Sequence, residues 1–101
     1  MASAKSAALD VRHVPAGARG TFVIERDGTR LAEMTYVRAG AKRAIIDHTF
    51  VDDTLRGEGA GLRLLQSLVE WARAERLGII ALCPFANAMS GKNESLRDVL
   101  A

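Results

Sequence analysis

The sequence contains little from which a cross-linked scaffold or a metal site could be built. Cys83 is the only cysteine, and the chain has two histidines and two prolines among its 101 residues. A single cysteine excludes an intrachain disulfide and a multi-cysteine metal site, and it fits a reducing compartment. We therefore expect no metal ion in this protein.

Long apolar runs are missing as well. No stretch is long enough to cross a bilayer. Residues 1–8 are small and polar with one charge at Lys5, so they lack the apolar core of a secretory signal. These absences predict a cytoplasmic protein without a membrane partner. We expect residues 1–20 to be a partly disordered N-terminal segment, and residues 21–101 to form a single domain.

The sequence also lacks a large excess of either charge, since its formal net charge is only +2. No block of lysine and arginine is interleaved with aromatic residues, as nucleic-acid binding requires. This absence argues against a nucleic-acid partner, and the small positive excess suits an anionic small ligand. The oligomeric state has no signature in the sequence.

The N-terminal part of the domain has the pattern of an antiparallel sheet. Residues 21–26 and 31–37 are β-prone and flank Asp27-Gly28, a dipeptide suited to a tight turn. In the second of these strands Ala32, Met34 and Tyr36 share one face, while Glu33 and Thr35 share the other. After a turn at 39–40, residues 44–51 form a third predicted strand, in which His48 shares a side with Ile46 and Phe50.

The pattern then changes to a helical period. Residues 59–77 have an apolar face that includes Trp71, and Gly78 follows as the expected C-terminal stop. Residues 79–83 read as a buried strand ended by Pro84, and 93–100 as a short C-terminal helix. The predicted fold is α/β (α+β), a mixed sheet with an antiparallel meander followed by a right-handed β-α-β crossover.

The glycine-rich segment 55–61 joins the third strand to the long helix. Its glycines let a ligand approach the backbone, and the helix N-terminus attracts anions, so the segment predicts a phosphate cradle. The dinucleotide pattern fails because Leu62 occupies the third small position. The P-loop pattern fails at Gly91-Lys92, which has Ala86 for its first glycine and Asn93 for its hydroxyl residue. The alternative to a phosphate cradle is a strand-to-helix turn that binds no ligand.

A third phosphate-binding pattern, Gln/Arg-x-x-Gly-x-Gly/Ala, is matched by Arg56, Gly59 and Gly61. In this the chain resembles the GNAT superfamily of N-acetyltransferases. The resemblance implies acetyl-CoA as cosubstrate, with Phe50 and Val51 at its pantetheine arm and acetyl end. It also implies that the pyrophosphate is held by the backbone amides of the loop residues Arg56, Gly57, Glu58, Gly59, Ala60 and Gly61.

Further segments are similar to the compact YjdJ-type subfamily of these enzymes, namely 47–51, 55–59 and 83–85. That subfamily carries a cysteine beside the expected acetyl group, a place that Cys83 occupies. Two departures concern the acceptor side: Asp52-Asp53 replaces a common Pro-Pro, and residues 89–95 replace the usual tail.

Three side chains are candidates for catalysis. Cys83 is either an acetyl-accepting nucleophile or a small buried hydrophobe. His48 is either a general base or a hydrogen-bonded core residue, and Glu33 is an equal candidate for the base. The predicted function is acetyl transfer from acetyl-CoA to an amine of a small molecule or a protein. The alternative is a CoA-binding or protein-interaction module without activity.

Overall fold

The structure is a computed structural model, and it describes residues 10–55, 57–84 and 88. Five strands form one sheet in the order β1-β2-β3-β4-β5. Neighbouring strands are antiparallel except for the parallel pair β4 and β5, which is connected through helix α1. The bounds are Val11–Ala16 (β1), Arg19–Arg26 (β2), Thr29–Ala39 (β3), Arg43–Val51 (β4), Ala60–Glu75 (α1) and Gly78–Ala81 (β5).

This topology confirms the predicted mixed sheet with its meander and crossover. The predicted C-terminal helix at 93–100 lies outside the described residues, as do residues 1–9. Within the segment 1–20, residues Val11–Ala16 pair with β2 as an edge strand, which the sequence pattern had not indicated. Pro15 obscures the pattern, and an edge is where a strand tolerates a residue without an N–H group.

The turn between β2 and β3 has the predicted chemistry. Asp27 and Gly28 have φ angles of 51° and 78°, and positive values at both central residues define the hairpin turn that matches strand twist. Gly40, between β3 and β4, also has a positive φ of 71°. The meander is therefore fixed by local backbone preferences as well as by its core.

Helix α1 covers one face of the sheet, which we call the inner face. Its buried residues are Ala60, Gly61, Leu64, Leu65, Leu68, Val69 and Ala72. Against them pack inner-face residues of the sheet, namely Phe22, Ile24, Ala32, Met34, Tyr36, Ala44, Ile46 and Ile79. The opposite, outer face carries Glu33 and Thr35, as the alternation in β3 predicted.

The helix ends differently from the prediction, which placed its stop at Gly78. Arg76 takes the left-handed conformation with φ 58°, and its N–H donates to the carbonyl of Arg73. The N–H of Leu77 donates to the carbonyl of Ala72 at 2.8 Å. Gly78 is already the first residue of β5, with its N–H bonded to Lys42 at 2.7 Å. Because β5 begins only three residues after the end of α1, the left-handed residue that ends the helix is Arg76.

An aromatic cluster closes the inner face at the β1 end. The His13 ring stacks on Phe22 at 4.2 Å, and its Nε2 lies 2.6 Å from the Tyr36 hydroxyl. Trp71 of α1 packs on Tyr36 at 4.6 Å between ring centroids, at the edge of the core. Burial lowers the pKa of His13. Gly20 is required beneath Tyr36, because a Cβ there would overlap the ring and hydroxyl.

Candidate active site

Strands β4 and β5 part near the middle of β4. Their parallel pairing ends at Ile46 and Ala81, where the Ile46 carbonyl accepts the N–H groups of Leu82 and Cys83, both at 3.1 Å. Residues 47–51 of β4 continue beyond that point without pairing to β5. A wedge-shaped gap therefore opens between the two strands, and one edge of β4 borders it. We call this opening the gap.

A β-bulge lies where the gap begins. Thr35 pairs with His48 and Tyr36 with Ile46, so Asp47 is an extra residue in β4. Its carboxylate accepts hydrogen bonds from the Thr35 hydroxyl at 2.5 Å and from Arg19 at 3.1 Å. The extra residue reverses the alternation of side chains along the remainder of β4.

The bulge corrects the predicted side of His48. Ile46 is buried on the inner face, whereas His48 and Phe50 pair with Thr35 and Glu33 and so lie on the outer face. His48 is exposed rather than a core residue. The predicted grouping of His48 with Phe50 holds, and the grouping of both with Ile46 is wrong.

Backbone N–H groups of β4 face the gap beyond the bulge. The N–H of Asp52 donates to the carbonyl of Leu31 in β3 at 2.7 Å. Successive N–H groups of a strand point to opposite edges, so those of Val51 and Thr49 point away from β3. They are directed at the gap, where no β5 carbonyl is paired with them.

The segment between β4 and α1 is organised by a short 3₁₀ turn, Asp53–Leu55. Asp52 starts the turn by accepting hydrogen bonds from the N–H and the hydroxyl of Thr54, at 3.0 and 2.7 Å. These bonds lower the pKa of the Asp52 carboxyl. Leu55 is buried in the core and anchors the turn. Arg56 lies outside the described residues.

Two glycines after this turn have left-handed backbone conformations. Gly57 and Gly59 have φ angles of 80° and 73°, and an added Cβ at either would meet no atom within 4 Å. The space beside them is open to a ligand. The first helical bond of α1 runs from the Arg63 N–H to the Gly59 carbonyl at 3.0 Å, so earlier N–H groups of the helix have no intrahelical acceptor.

The acidic residue of the loop forms an ion pair with an arginine. Glu58 accepts a hydrogen bond from Arg26 of β2 at 2.9 Å, and both side chains are about one-third exposed. This pair removes a charge that would repel an anion at the helix N-terminus. Arg26 Nε is buried and has no hydrogen-bond partner among the described residues. Arg26 could not be predicted as a site residue from the sequence, because the pairing joins distant parts of the chain.

Cys83 lies on the inner side of the gap, where β5 ends. It is 7% exposed, and its Sγ donates a hydrogen bond to the Thr49 hydroxyl at 3.3 Å. Thr49 had not been predicted as a site residue, although it stands in the segment that carried the resemblance. The contact connects the two strands just where their backbone pairing has ended.

The two candidate bases lie together on the outer face. His48 Nε2 is 3.8 Å from Glu33 Oε2, and Arg30 is 3.2 Å from the other carboxylate oxygen of Glu33. Cys83 contacts Thr49, which pairs with the inner-face residue Met34, so Cys83 and His48 lie on opposite faces of the sheet. The site thus has a nucleophile candidate on one side and base candidates on the other.

Among the residues that the structure describes, no group of three or more histidine, cysteine, aspartate and glutamate side chains could hold a metal ion. None of the helices formed by them is both long enough and apolar enough to span a membrane.

Solved structures share this architecture. A GCN5-like protein from Staphylococcus aureus is 38% identical with a TM-score of 0.72, over 93% of this chain and 89% of that one. The ribosomal-protein-S18-alanine N-acetyltransferase from Escherichia coli is 16% identical with a TM-score of 0.64. The IAA acetyltransferase from Bacillus cereus is 21% identical with a TM-score of 0.60. Both of these low-identity likenesses show the fold alone.

The coverage of the two enzymes is partial. This chain aligns over 77% of its own length with the Escherichia coli enzyme and 74% with the Bacillus cereus enzyme, and spans 53% of each of them. No curated protein matches the sequence. The sequence model of the GCN5-related N-acetyl-transferase family, however, matches residues 21–99. The chain therefore belongs to the family of GCN5-related N-acetyl-transferases and is an acyltransferase of that type.

Proposed function

We propose that this protein transfers the acetyl group of acetyl-CoA to an amine of a small molecule or a protein. The observation that carries the proposal is the gap between β4 and β5, which opens directly beside the glycine loop at the start of α1. The loop supplies a place for the anionic end of the donor, and the gap supplies a place for its reactive end. The YjdJ-type subfamily remains part of the proposal.

The loop residues 56–61 hold the pyrophosphate through backbone N–H groups in this proposal. The left-handed conformation of Gly57 and Gly59 brings the backbone to the ligand without a side chain between them. The unbonded N–H groups of the first turn of α1 add the positive end of the helix dipole. Arg26 contributes indirectly by neutralising Glu58.

The pantetheine arm lies along β4 at Phe50 and Val51, where β5 offers no competing partner. The N–H of Val51 points into the gap and polarises the thioester carbonyl of acetyl-CoA, which supplies the activated acetyl group. A single donor of this kind is worth roughly 3 kcal/mol of transition-state stabilisation in other enzymes.

The amine approaches from the outer face, where His48 and Glu33 lie. Its nitrogen forms a bond to the acetyl carbon, the carbon–sulfur bond breaks, and CoA leaves as a thiol. His48 accepts the proton that the amine loses and passes a proton to the departing sulfur, so that CoA leaves as a thiol and charge and atoms balance. The carboxylate of Glu33 lies 3.8 Å from the His48 ring on the same face.

Cys83 offers a second route on the inner side of the gap. In that route its sulfur takes the acetyl group while CoA leaves as a thiol, and the amine then takes the acetyl group and restores the Cys83 thiol. Its position beside Thr49, across the opening of the gap, favours this route on geometry. In the direct route Cys83 takes no part in the chemistry and only fills space in the core.

Titration calorimetry with acetyl-CoA, followed by thiol release with a panel of amines, tests the proposed function. We expect saturable binding and amine-dependent release of CoA. Binding without release across the panel would instead support a CoA-binding or protein-interaction module. The variants Cys83→Ala and Cys83→Ser separate the two routes. Full transfer rates in both variants would exclude the covalent route, whereas lost transfer with retained binding would support it.

A further inference from the structure

The outer mouth of the gap has an apolar rim. Phe50 is 42% exposed and Leu82 is 66% exposed, and they are the large hydrophobic residues that stand exposed in the described part of the chain. Phe50 is near the end of β4, and Leu82 directly follows β5. The two residues therefore flank the gap from its two sides.

Both side chains lie on the outer face. Phe50 pairs with the outer-face residue Glu33. Leu82 is largely exposed, whereas its neighbours Ala81 and Cys83 both pack on the core, so the Leu82 side chain points away from the core. Exposed hydrophobic residues scattered singly are common on protein surfaces. Two of them at one opening, beside polar groups able to accept a proton, have the composition of a small-molecule site.

Two carboxylates of the outer face near this rim are paired with arginines. The carboxylate of Asp47 is paired with Arg19 at 3.1 Å, and that of Glu33 with Arg30 at 3.2 Å. A polycationic acceptor requires carboxylates whose charge is still uncompensated, and neither of these two provides it. An acceptor with one amine and an apolar body suits the rim better.

From this rim we infer that the acceptor is a primary amine carried on a short aromatic or branched aliphatic group, which packs against Phe50 and Leu82 while its nitrogen reaches His48. This inference rests on the proposed acetyl transfer. The apolar group sets the affinity for the acceptor, and the Glu33–His48 pair receives the proton. Leu82 is then a specificity-determining residue.

The test compares three probe amines with acetyl-CoA as donor: 2-phenylethylamine, ethanolamine and spermidine. The first two are primary amines on a two-carbon chain and differ in the attached group. Burying part of a phenyl ring predicts a kcat/KM about tenfold higher for 2-phenylethylamine than for ethanolamine. Spermidine is expected to be no better than ethanolamine.

Leu82→Ser tests the residue itself. We expect the ratio of kcat/KM between 2-phenylethylamine and ethanolamine to fall about fivefold, mainly through KM for the aromatic amine. Leu82→Met is expected to retain the ratio, because its side chain has similar volume and apolarity. Val14→Ser, which removes a half-buried residue of β1 far along the sheet, is the matched control and leaves both rates unchanged.

The outcomes separate the inference from the proposed function. Wild-type protein that binds no acetyl-CoA would overturn both. If the protein binds acetyl-CoA but its kcat/KM for ethanolamine or spermidine equals that for 2-phenylethylamine, the inference is overturned and the proposed function still stands. Binding without transfer to 2-phenylethylamine, or an unchanged ratio in Leu82→Ser, would also overturn the inference.

Discussion

The two sides of the gap use different parts of the chain, backbone on one side and side chains on the other. In the proposed function the donor side, which binds acetyl-CoA, consists of backbone: the left-handed glycines of the loop, the first turn of α1 and the free edge of β4. The acceptor side consists of side chains on the outer face, namely His48, Glu33, Phe50 and Leu82. Backbone recognition requires only a chain conformation, whereas side-chain recognition requires a particular register. The first is thus easier to encode locally than the second.

Their positions on the sheet also differ. The donor side begins at the N-terminus of the helix that covers the inner face, and the acceptor side lies on the opposite face. The two sides meet only at the gap. A substitution on one side should therefore alter one substrate and spare the other, and this separation is what the following predictions examine.

The largest effect is expected on the donor side, from Gly59→Glu. A side chain at this position extends into the open space beside the loop, and its carboxylate repels the pyrophosphate. Acetyl-CoA affinity should fall by at least about a hundredfold by titration calorimetry. Gly40→Glu is the matched control, because it has the same positive φ and open surroundings in a remote turn. Equal losses in both variants would show backbone strain rather than a ligand site.

The next effect is expected on the acceptor side, from His48→Gln. Removal of a general base predicts a fall in kcat of about a hundredfold. Acetyl-CoA affinity should stay within about twofold, because His48 is not among the residues proposed to contact acetyl-CoA. His13→Gln, which changes the other histidine of the chain, serves as the control. A similar kcat for His48→Gln and wild type would remove His48 from the mechanism.

A smaller effect is expected from Arg26→Ala, which leaves Glu58 uncompensated beside the pyrophosphate. Acetyl-CoA affinity should fall by about tenfold. The double variant Arg26→Ala with Glu58→Gln should recover most of that loss, measured by the same titration. If the double variant remained as weak as Arg26→Ala, Arg26 would act on the ligand directly and not through Glu58.

The smallest effect concerns the β1 end, which belongs to neither side. Because burial lowers the pKa of His13 from its ordinary value of 6.5, the unfolded chain binds the proton more tightly than the folded chain. The contribution of neutral His13 to the free energy of unfolding is therefore complete above about pH 6.5. It decreases as the pH falls towards the lowered pKa of the folded state. Urea denaturation across this range should show the decrease.

His13→Gln provides the check on that assignment. It should reduce the loss of stability on acidification, whereas His48→Gln, which changes an exposed histidine, should leave it in place. An unchanged pH dependence in His13→Gln would place its origin in other groups.

The same contrast explains how far the sequence predicted the structure. The Asp27-Gly28 turn and the buried face of α1 follow from local patterns, and the structure has them. The proposed donor side was likewise placed from a local pattern, the glycines of segment 55–61. Arg56 was part of the same prediction and lies outside the described residues.

The errors and omissions arose where distant residues decide the geometry. The bulge at Asp47 depends on Thr35 and Arg19, so the period of β4 could not reveal that His48 faces outward. Likewise the placement of Arg76 rather than Gly78 at the helix end follows from the pairing of β5 with β4. The acceptor side is built from such contacts, and it was correspondingly harder to predict.

The most direct test of the central claim is an amide nuclear magnetic resonance titration of the whole chain with acetyl-CoA. The account predicts chemical-shift changes in two separate segments, the glycine loop at Gly57 and Gly59 and the gap edge of β4 at Thr49 and Val51, with β1 unaffected. Shifts confined to another part of the sheet, or none at saturating acetyl-CoA, would contradict the account.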